Sequence, residues 1–393
     1  MISNGLGSST CVLVGNGLLK CWGYNNHGQL GYGDTKNRGG TPDDMGSNLP
    51  AVSVGTGRTV TKFSVATDHV CAILDNHALK CWGNGEDGKL GYGATLDKGT
   101  MANQMGDNLL AVDLGSGRTA KQVTCGWRHT CAILDDDTVK CWGRNYEAQL
   151  GSGDWNHLGD NTGEMGDALP VVKLGIGRTV KTLSASYDFT CVVLDNDSVK
   201  CWGTNGDGQL GYGDIAMRGL DSGEMGDSLP VVDLGLVSNE IVVSLQQGWG
   251  HTCILLNTSS VKCWGSNHKG QLGEGDTIKR GASSNQMGLN LPTLDVGSSH
   301  TVIQLSCGNV HCCVLLEDAA VKCWGGNLAG QLGYGDTQGR GSGPSQMGDN
   351  LPVVSVPPLR DVYSVQAGSY FTCVVLHDMS VSCWGNNFYG ELG

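Results

Sequence analysis

The chain has 393 residues with 63 glycines and only 16% charged residues, which is typical of an all-β protein with short strands and many tight turns. It contains no apolar run of about 18 residues, so we expect no membrane span. A net charge of −13 and the absence of a Lys/Arg cluster argue against direct nucleic-acid binding.

A Cys-Trp-Gly tripeptide recurs every 60 residues, apart from one gap of 62. The copies begin at Cys21, Cys81, Cys141, Cys201, Cys263, Cys323 and Cys383. A fixed period marks a unit that buries its apolar face by stacking on its neighbours. We therefore predict an all-β, seven-bladed β-propeller that forms one domain over residues 1–393. Its repeat units of roughly 60 residues start near residues 1, 61, 121, 181, 242, 302 and 362.

The third unit illustrates the strands that the repeat predicts. Residues 122–126 form a first short strand, 129–134 a second and 138–142 a third, with an Asp-rich turn between the last two. Residues 169–174 are predicted as a fourth strand at the outer edge, because Pro170 has no N–H to donate.

A Gly-rich connection of about 25 residues follows the third strand in six of the seven units and is too regular to be an unfolded loop. The seventh unit has no such connection and no fourth strand. We therefore expect an incomplete last blade and a chain that is a fragment of a longer protein.

Fourteen of the 17 cysteines occupy only two positions of the repeat. The pairs are Cys11/Cys21, Cys71/Cys81, Cys131/Cys141, Cys191/Cys201, Cys253/Cys263, Cys313/Cys323 and Cys373/Cys383. Partners lie opposite each other on a predicted hairpin, so we favour seven disulfides within hairpins. Free buried thiols are the alternative, whereas zinc is disfavoured because each blade offers half a site. Cys125, Cys307 and Cys312 have no assigned partner.

The cysteines also bear on localisation. Bridged pairs indicate an extracellular or luminal protein, and reduced pairs a cytoplasmic one.

The turn between the first two strands varies from blade to blade. Three consecutive turns carry Trp127, Tyr187 and Trp249, and the first two of these residues are followed by Arg128 and Asp188. Aromatic residues on neighbouring loops predict a partner-binding hot spot. Stacking between blades explains the same pattern, and the sequence leaves both interpretations open.

Two further positions recur without requiring a chemical role. A Lys precedes six of the Cys-Trp-Gly copies, and we interpret its stem as packed on the indole, with an anion-binding ring as the alternative. A His two residues before the first paired Cys is replaced by Phe189 and Phe371 in two blades, which favours a structural role.

The string from His129 to Gly151, His-Thr-Cys-Ala-Ile-Leu-Asp followed by Val-Lys-Cys-Trp-Gly and Gln-Leu-Gly, resembles the repeat of the regulator of chromosome condensation family. The resemblance covers essentially the whole chain and implies a seven-bladed propeller. Family members act in guanine-nucleotide exchange, UV-B sensing and substrate recognition in ubiquitin ligases. Residues 126–130, Gly-Trp-Arg-His-Thr, match the motif of the plant UV-B photoreceptor, and residues 248–252 copy it without the Arg.

No Ser-His-Asp, metal-ligand or phosphate-loop motif stands apart from the repeat. We therefore predict a non-enzymatic scaffold without cofactor or metal that binds a protein, or a glycan, through its inter-strand loops. The first alternative is an exchange factor or regulator with a small GTPase as its partner. The second is a protein similar to the UV-B photoreceptor.

Overall fold

The computed structural model describes residues 2–5, 7–298, 300–356 and 361–393. These residues form seven antiparallel sheets of three strands, each joined in sequence order. From the first blade to the seventh, the strands are Ile2–Asn4, Ser9–Val14 and Leu18–Gly23; Val60–Val65, His69–Leu74 and Leu79–Gly83; Ala120–Cys125, His129–Leu134 and Val139–Gly143; Val180–Ala185, Phe189–Leu194 and Val199–Gly203; Val242–Gln247, His251–Leu256 and Val261–Gly265; Val302–Cys307, His311–Leu316 and Val321–Gly325; Val362–Ala367, Phe371–Leu376 and Val381–Gly385.

The connections between blades contain short 3-10 helices. They span Pro42–Asp44, Glu86–Gly88, Ala102–Gln104, Gly106–Asn108, Gly166–Ala168, Gly226–Ser228, Gly288–Asn290 and Gly348–Asn350. Within the described part of the chain, no helix has the length and apolar character needed to cross a membrane.

The second strand of each blade lies in the core. In the third blade all six residues of His129–Leu134 are buried, and Cys131 lies directly opposite Cys141 on the third strand. The hairpin turn between these strands places Asp137 at φ 63°, a conformation that Asp tolerates better than most residues. The prediction of an all-β, seven-bladed propeller is confirmed.

The prediction of a fourth strand over residues 169–174 is wrong. Residues 169–174 contribute one backbone hydrogen bond to the sheet, from Val172 N to Val139 O at 2.8 Å. Pro170 has no N–H to donate. The carbonyls at the end of the segment bond the following blade instead: Lys173 O accepts from Gly226 N of its connection, and Leu174 O accepts from Lys200 Nζ. The segment therefore links two blades instead of extending one sheet.

The ammonium group of the Lys before Cys-Trp-Gly holds these segments in place, a role that the interpretation of its stem as packed on the indole did not include. Lys140 Nζ donates to Leu114 O of the preceding blade's outer segment at 3.0 Å and to Gly166 O of its own connection at 2.8 Å. A buried ammonium group needs such acceptors, and two carbonyls supply them.

The Trp of each Cys-Trp-Gly joins its blade to the one before it. Trp202 Nε1 donates to Gln149 O of the preceding connection at 2.9 Å, and Thr190 Oγ1 donates to the same carbonyl at 3.0 Å. The segment after the last strand does the same for the first blade, because Glu391 O accepts from Trp22 Nε1 at 3.0 Å. This contact closes the ring.

The seventh blade has three strands like the others, but its outer side is less covered. Val381–Gly385 is half-buried throughout, whereas the equivalent strand Val321–Gly325 of the sixth blade is fully buried. In the sixth blade Val354 N donates to Val321 O and so covers the third strand, whereas the described residues supply no equivalent bond to Val381 O.

Candidate functional site

The turns between the first and second strands lie together at one mouth of the ring. Backbone bonds connect neighbouring turns: Trp127 N donates to Ser186 O at 3.0 Å, and Trp249 N donates to Asn309 O at 3.1 Å. Each turn also accepts a bond from the residue that follows its blade's Cys-Trp-Gly, as from Arg144 N to Arg128 O at 2.9 Å. The variable side chains therefore stand on a fixed backbone.

Trp127, Tyr187 and Trp249 form a continuous row of rings. The rings of Trp127 and Tyr187 are stacked with centroids 4.1 Å apart and planes 16° from parallel. Tyr187 then meets Trp249 edge to face at 5.6 Å. Trp127 and Tyr187 are half-buried, and Trp249 is 47% exposed. The row thus combines stacking between blades with an accessible aromatic surface.

Arg128 extends this row toward the second blade. Its guanidinium carbon lies 4.3 Å from the centre of the Trp127 ring, within the range of a cation–π contact. The same guanidinium approaches two carboxylates, with Nη1 3.4 Å from Asp87 Oδ2 and 3.8 Å from Glu86 Oε2. Arg128 is therefore engaged within the chain and orients the Trp127 ring.

Asp188 lies below Tyr187 and is only 7% exposed. Its Oδ1 accepts a hydrogen bond from Gln149 Nε2 at 2.8 Å. Burial raises the pKa of Asp188 to about 6, and the negative charge of Glu147 adds to the rise, while Arg144 opposes it. Asp188 thus carries a charge that the protein only partly compensates.

An open cavity of about 560 Å³ adjoins the row. Tyr187 and Trp249 line one part of it, and the carboxylates of Asp188, Glu147 and Asp207 line another. Among the described residues that line this cavity, none is Lys or Arg. We call Tyr187, Trp249, Asp188, Glu147 and Asp207 the acidic pocket.

Sequence reasoning singled out Asp188 but missed Glu147 and Asp207. Both occupy the second position after the Asn of the connection, which reads Asn-Tyr-Glu in the third blade and Asn-Gly-Asp in the fourth. Variation between otherwise regular repeats was the available signal, and it points to the same mouth of the ring as the aromatic turns.

The cysteines form more bonds than the hairpin pattern predicts. The seven hairpin pairs are disulfide-bonded in the structure. An eighth disulfide joins Cys307 to Cys312, which leaves Cys125 as a buried thiol. At the boundary between the fifth and sixth blades, this additional pair also approaches a hairpin cysteine, because Cys253 Sγ is 3.8 Å from Cys312 Sγ.

The recurring His residues bridge blades. His129 Nε2 lies 2.9 Å from Thr190 Oγ1 of the next blade. Since Thr190 donates its proton to Gln149 O, it must accept one from His129. Burial lowers the pKa of His129 to about 3, so the ring stays neutral and serves the packing of the blades.

Seven three-stranded blades closed into a ring, with a loop face that varies between otherwise regular repeats, define a propeller of the repeat class. The family model described as the regulator of chromosome condensation (RCC1) repeat matches residues 16–73 and 260–315, and a second model of that repeat matches 120–149, 180–209, 242–271 and 302–331. The chain belongs to this repeat family.

Two curated relatives show how differently the repeat is used. The chain is 27% identical over 396 residues to the ultraviolet-B receptor UVR8 of Arabidopsis thaliana, covering 100% of this chain and 78% of that protein. It is 27% identical over 318 residues to the probable E3 ubiquitin-protein ligase HERC6 of Homo sapiens. That match covers 79% of this chain but spans only 26% of HERC6.

Solved structures share the fold at low sequence identity. Prp20p of Saccharomyces cerevisiae superposes with a TM-score of 0.69 at 16% identity, covering 95% of this chain and 81% of that one. The ectodomain of the Arabidopsis thaliana receptor kinase ACR4 superposes with a TM-score of 0.52 at 19% identity, covering 100% and 96%.

Proposed function

We propose that the chain is a non-catalytic interaction module that binds a protein partner through the face carrying Trp127, Tyr187 and Trp249. In this proposal the partner places a basic side chain in the acidic pocket. The observation that carries the proposal is the continuity of the two features, because Tyr187 and Trp249 belong to the aromatic row and also line the acidic pocket.

The chemistry of the pocket favours a guanidinium or ammonium group. Asp188, Glu147 and Asp207 can accept charged hydrogen bonds, and the exposed rings can receive the flat or apolar part of the side chain. Among the described residues, one of the three carboxylates forms an ion pair within the chain, since Lys279 Nζ lies 3.5 Å from Asp207 Oδ1. A net charge of −13 adds a long-range attraction for a basic partner.

The face is tested by placing a photoactivatable amino acid at Trp249 and, in a control variant, at Ile176. Ile176 is 88% exposed and lies at the opposite end of the strands, beside the Asp227 carboxylate. Irradiation in the native source should crosslink a discrete protein to the first position and not to the second. Equal crosslinking at both positions, or none at Trp249, would contradict the proposal.

The crosslinked protein is then purified and its affinity measured with Trp249→Ala and Asp188→Asn. Each change should weaken binding by about 10-fold or more, since central aromatic and buried charged contacts dominate such interfaces. Binding should also weaken as salt is raised. Unchanged affinity in both variants would place the partner elsewhere on the ring.

A sensor of UV-B light is a second candidate, supported by the similarity to UVR8 and by the contact between Arg128 and the Trp127 indole. It predicts a dimer that dissociates on illumination, which gel filtration before and after UV-B reports. Prp20p, which binds Gsp1p and histones, motivates the GTPase alternative. Accelerated release of nucleotide from a small GTPase would support that alternative instead.

A further inference from the structure

The boundary between the fifth and sixth blades concentrates side chains that bind soft metal ions. His251, Cys253, Cys307 and Cys312 place one ligand atom each so that all four lie within 4.8 Å of one another. All four residues are buried. His251 and Cys253 belong to the fifth blade, and Cys307 and Cys312 belong to the sixth.

The two added cysteines replace residues that serve the packing of other blades. Where Cys312 lies, five blades carry a Thr that bonds the carbonyl of the preceding connection, as Thr130 Oγ1 does to Lys89 O at 2.8 Å. Where Cys307 lies, other blades carry residues such as Ala185 and Ala367. Thiols at both positions of one blade are not needed to build the ring.

Two of the distances between these atoms match those of a tetrahedral site, whereas the Cys307 and Cys312 sulfurs are bonded to each other and must separate on reduction. Cys253 Sγ lies 3.8 Å from Cys312 Sγ, and His251 Nε2 lies 3.2 Å from Cys312 Sγ. With Zn–S bonds of about 2.3 Å, two sulfurs of a tetrahedral site are about 3.8 Å apart, and a sulfur and a nitrogen about 3.5 Å apart. In the oxidised protein these sulfurs are held in the Cys253–Cys263 and Cys307–Cys312 disulfides.

We propose that, when these two disulfides are reduced, His251, Cys253, Cys307 and Cys312 bind one Zn²⁺ ion and join the fifth blade to the sixth. A dithiol reductant supplies two electrons and two protons to each S–S bond and is itself oxidised to a disulfide. Zn²⁺ then displaces the thiol protons of Cys253, Cys307 and Cys312, and His251 supplies the lone pair of Nε2. Cys263 is left as a thiol. The site exists only in the reduced chain and is independent of the partner-binding face.

The chain contains an incomplete copy of this site three repeats earlier. His69, Cys71 and Cys125 are grouped in the same way between the second and third blades. The fourth position is Thr130, which pairs with Cys125 in the register that Cys312 shares with Cys307. This group offers only three donors, so it should not hold the ion.

The test uses the full chain, reduced with a phosphine and refolded under argon with Co²⁺ as a spectroscopic substitute for Zn²⁺. Wild type should bind one equivalent with the absorption bands of tetrahedral cobalt and with sulfur-to-cobalt charge transfer, and added Zn²⁺ should displace it. Cys312→Thr, which installs the residue of the other blades, should lose this equivalent. Thr130→Cys should raise the stoichiometry from one to two.

The stoichiometry is measured on the folded monomer from gel filtration, so that cobalt bound to unfolded thiols is not counted. Equal cobalt binding by wild type and Cys312→Thr would overturn the proposal. A reduced wild-type chain that refolds without cobalt, or only as aggregate, would overturn it as well. Cys125→Ala serves as the control variant and should leave the wild-type equivalent in place.

Discussion

Asp188 keeps its carboxyl group in the acidic pocket at a cost to the fold. Its pKa is raised to about 6, mainly by burial, from an ordinary value of 3.8. An acid whose folded pKa is raised binds more protons in the folded state between these two values, so its contribution to the free energy of unfolding falls as the pH rises through this window. The charge is retained at neutral pH although the fold would be more stable without it.

Replacing Asp188 by Asn should therefore stabilise the protein at about pH 8 and change little at about pH 4. We expect a gain of roughly 1–3 kcal/mol at the higher pH, because one unit of pKa corresponds to about 1.4 kcal/mol. The Asn carbonyl can still accept the bond from Gln149 Nε2. Urea unfolding at the two pH values measures the gain, and a loss of stability at about pH 8 would show that Arg144 compensates the charge fully.

The same substitution separates stability from function. If the carboxylate serves the partner, Asp188→Asn should bind it more weakly while being the more stable protein, a trade-off common at binding sites. Binding by the wild type should also decline as the pH falls below about 6, where Asp188 becomes protonated.

Among the structural elements, the segments that link blades depend on the Lys of each Cys-Trp-Gly strand. Lys140 is buried and donates to two carbonyls. Lys20 donates to one, Gly46 O, in an exposed position. Lys140→Met should therefore cost about 2–4 kcal/mol of unfolding free energy, because it removes two charge-assisted bonds and leaves buried carbonyls unpaired. The matched change Lys20→Met should cost about 1 kcal/mol or less. If urea unfolding shows equal losses for the two variants, the hydrogen bonds of Lys140 Nζ do not account for its contribution to stability.

The strands of each blade could be predicted from the sequence because their pattern is local. Alternating apolar residues and an Asp-rich turn place Cys131 opposite Cys141 without further information. The strand predicted at residues 169–174 was wrong because this segment bonds a neighbouring blade, and the sequence of one repeat does not show that contact. The sequence pattern thus reports contacts within a blade better than contacts between blades.

The proposed binding face shows the same limit. Trp127, Tyr187 and Trp249 were identified from variation at one repeat position, although only the structure shows that their rings touch in a row. Cys307 and Cys312 lie outside the hairpin pattern, so their bond and their approach to Cys253 required the packing of two blades.

At the scale of the whole molecule, eight disulfides and one buried thiol define the oxidised protein. Burial raises the pKa of Cys125 to about 12, which keeps its thiol protonated and unreactive at neutral pH. Alkylation of the native protein should add no label, alkylation after denaturation should add one, and alkylation after reduction should add 17, the full cysteine count. Intact mass measures all three values, and labels on the native protein would show that the bridges are open.

The ring closes where the segment after the last strand meets the first blade. Glu391 O accepts bonds from Trp22 Nε1 and from Thr10 Oγ1, each at 3.0 Å, in the way that Gln149 O serves the fourth blade. Trp22 is only 3% exposed, so the junction between the seventh and first blades is buried in the same way as the junctions at which Trp82 and Trp142 lie. A closed propeller has no free end blades, and opening it at one junction exposes two faces at once.

Deleting residues 386–393 should therefore destabilise the whole ring by about 3–5 kcal/mol, since it removes two buried hydrogen bonds and uncovers Trp22. Trp22→Phe, which removes a single bond and keeps the ring closed, should cost about 1–2 kcal/mol. Urea unfolding measures both losses, and a red shift of tryptophan emission in the deletion alone reports the exposure of Trp22. If the deletion costs no more than Trp22→Phe, the segment does not close the ring, and the packing of the seventh blade on the first must hold it instead.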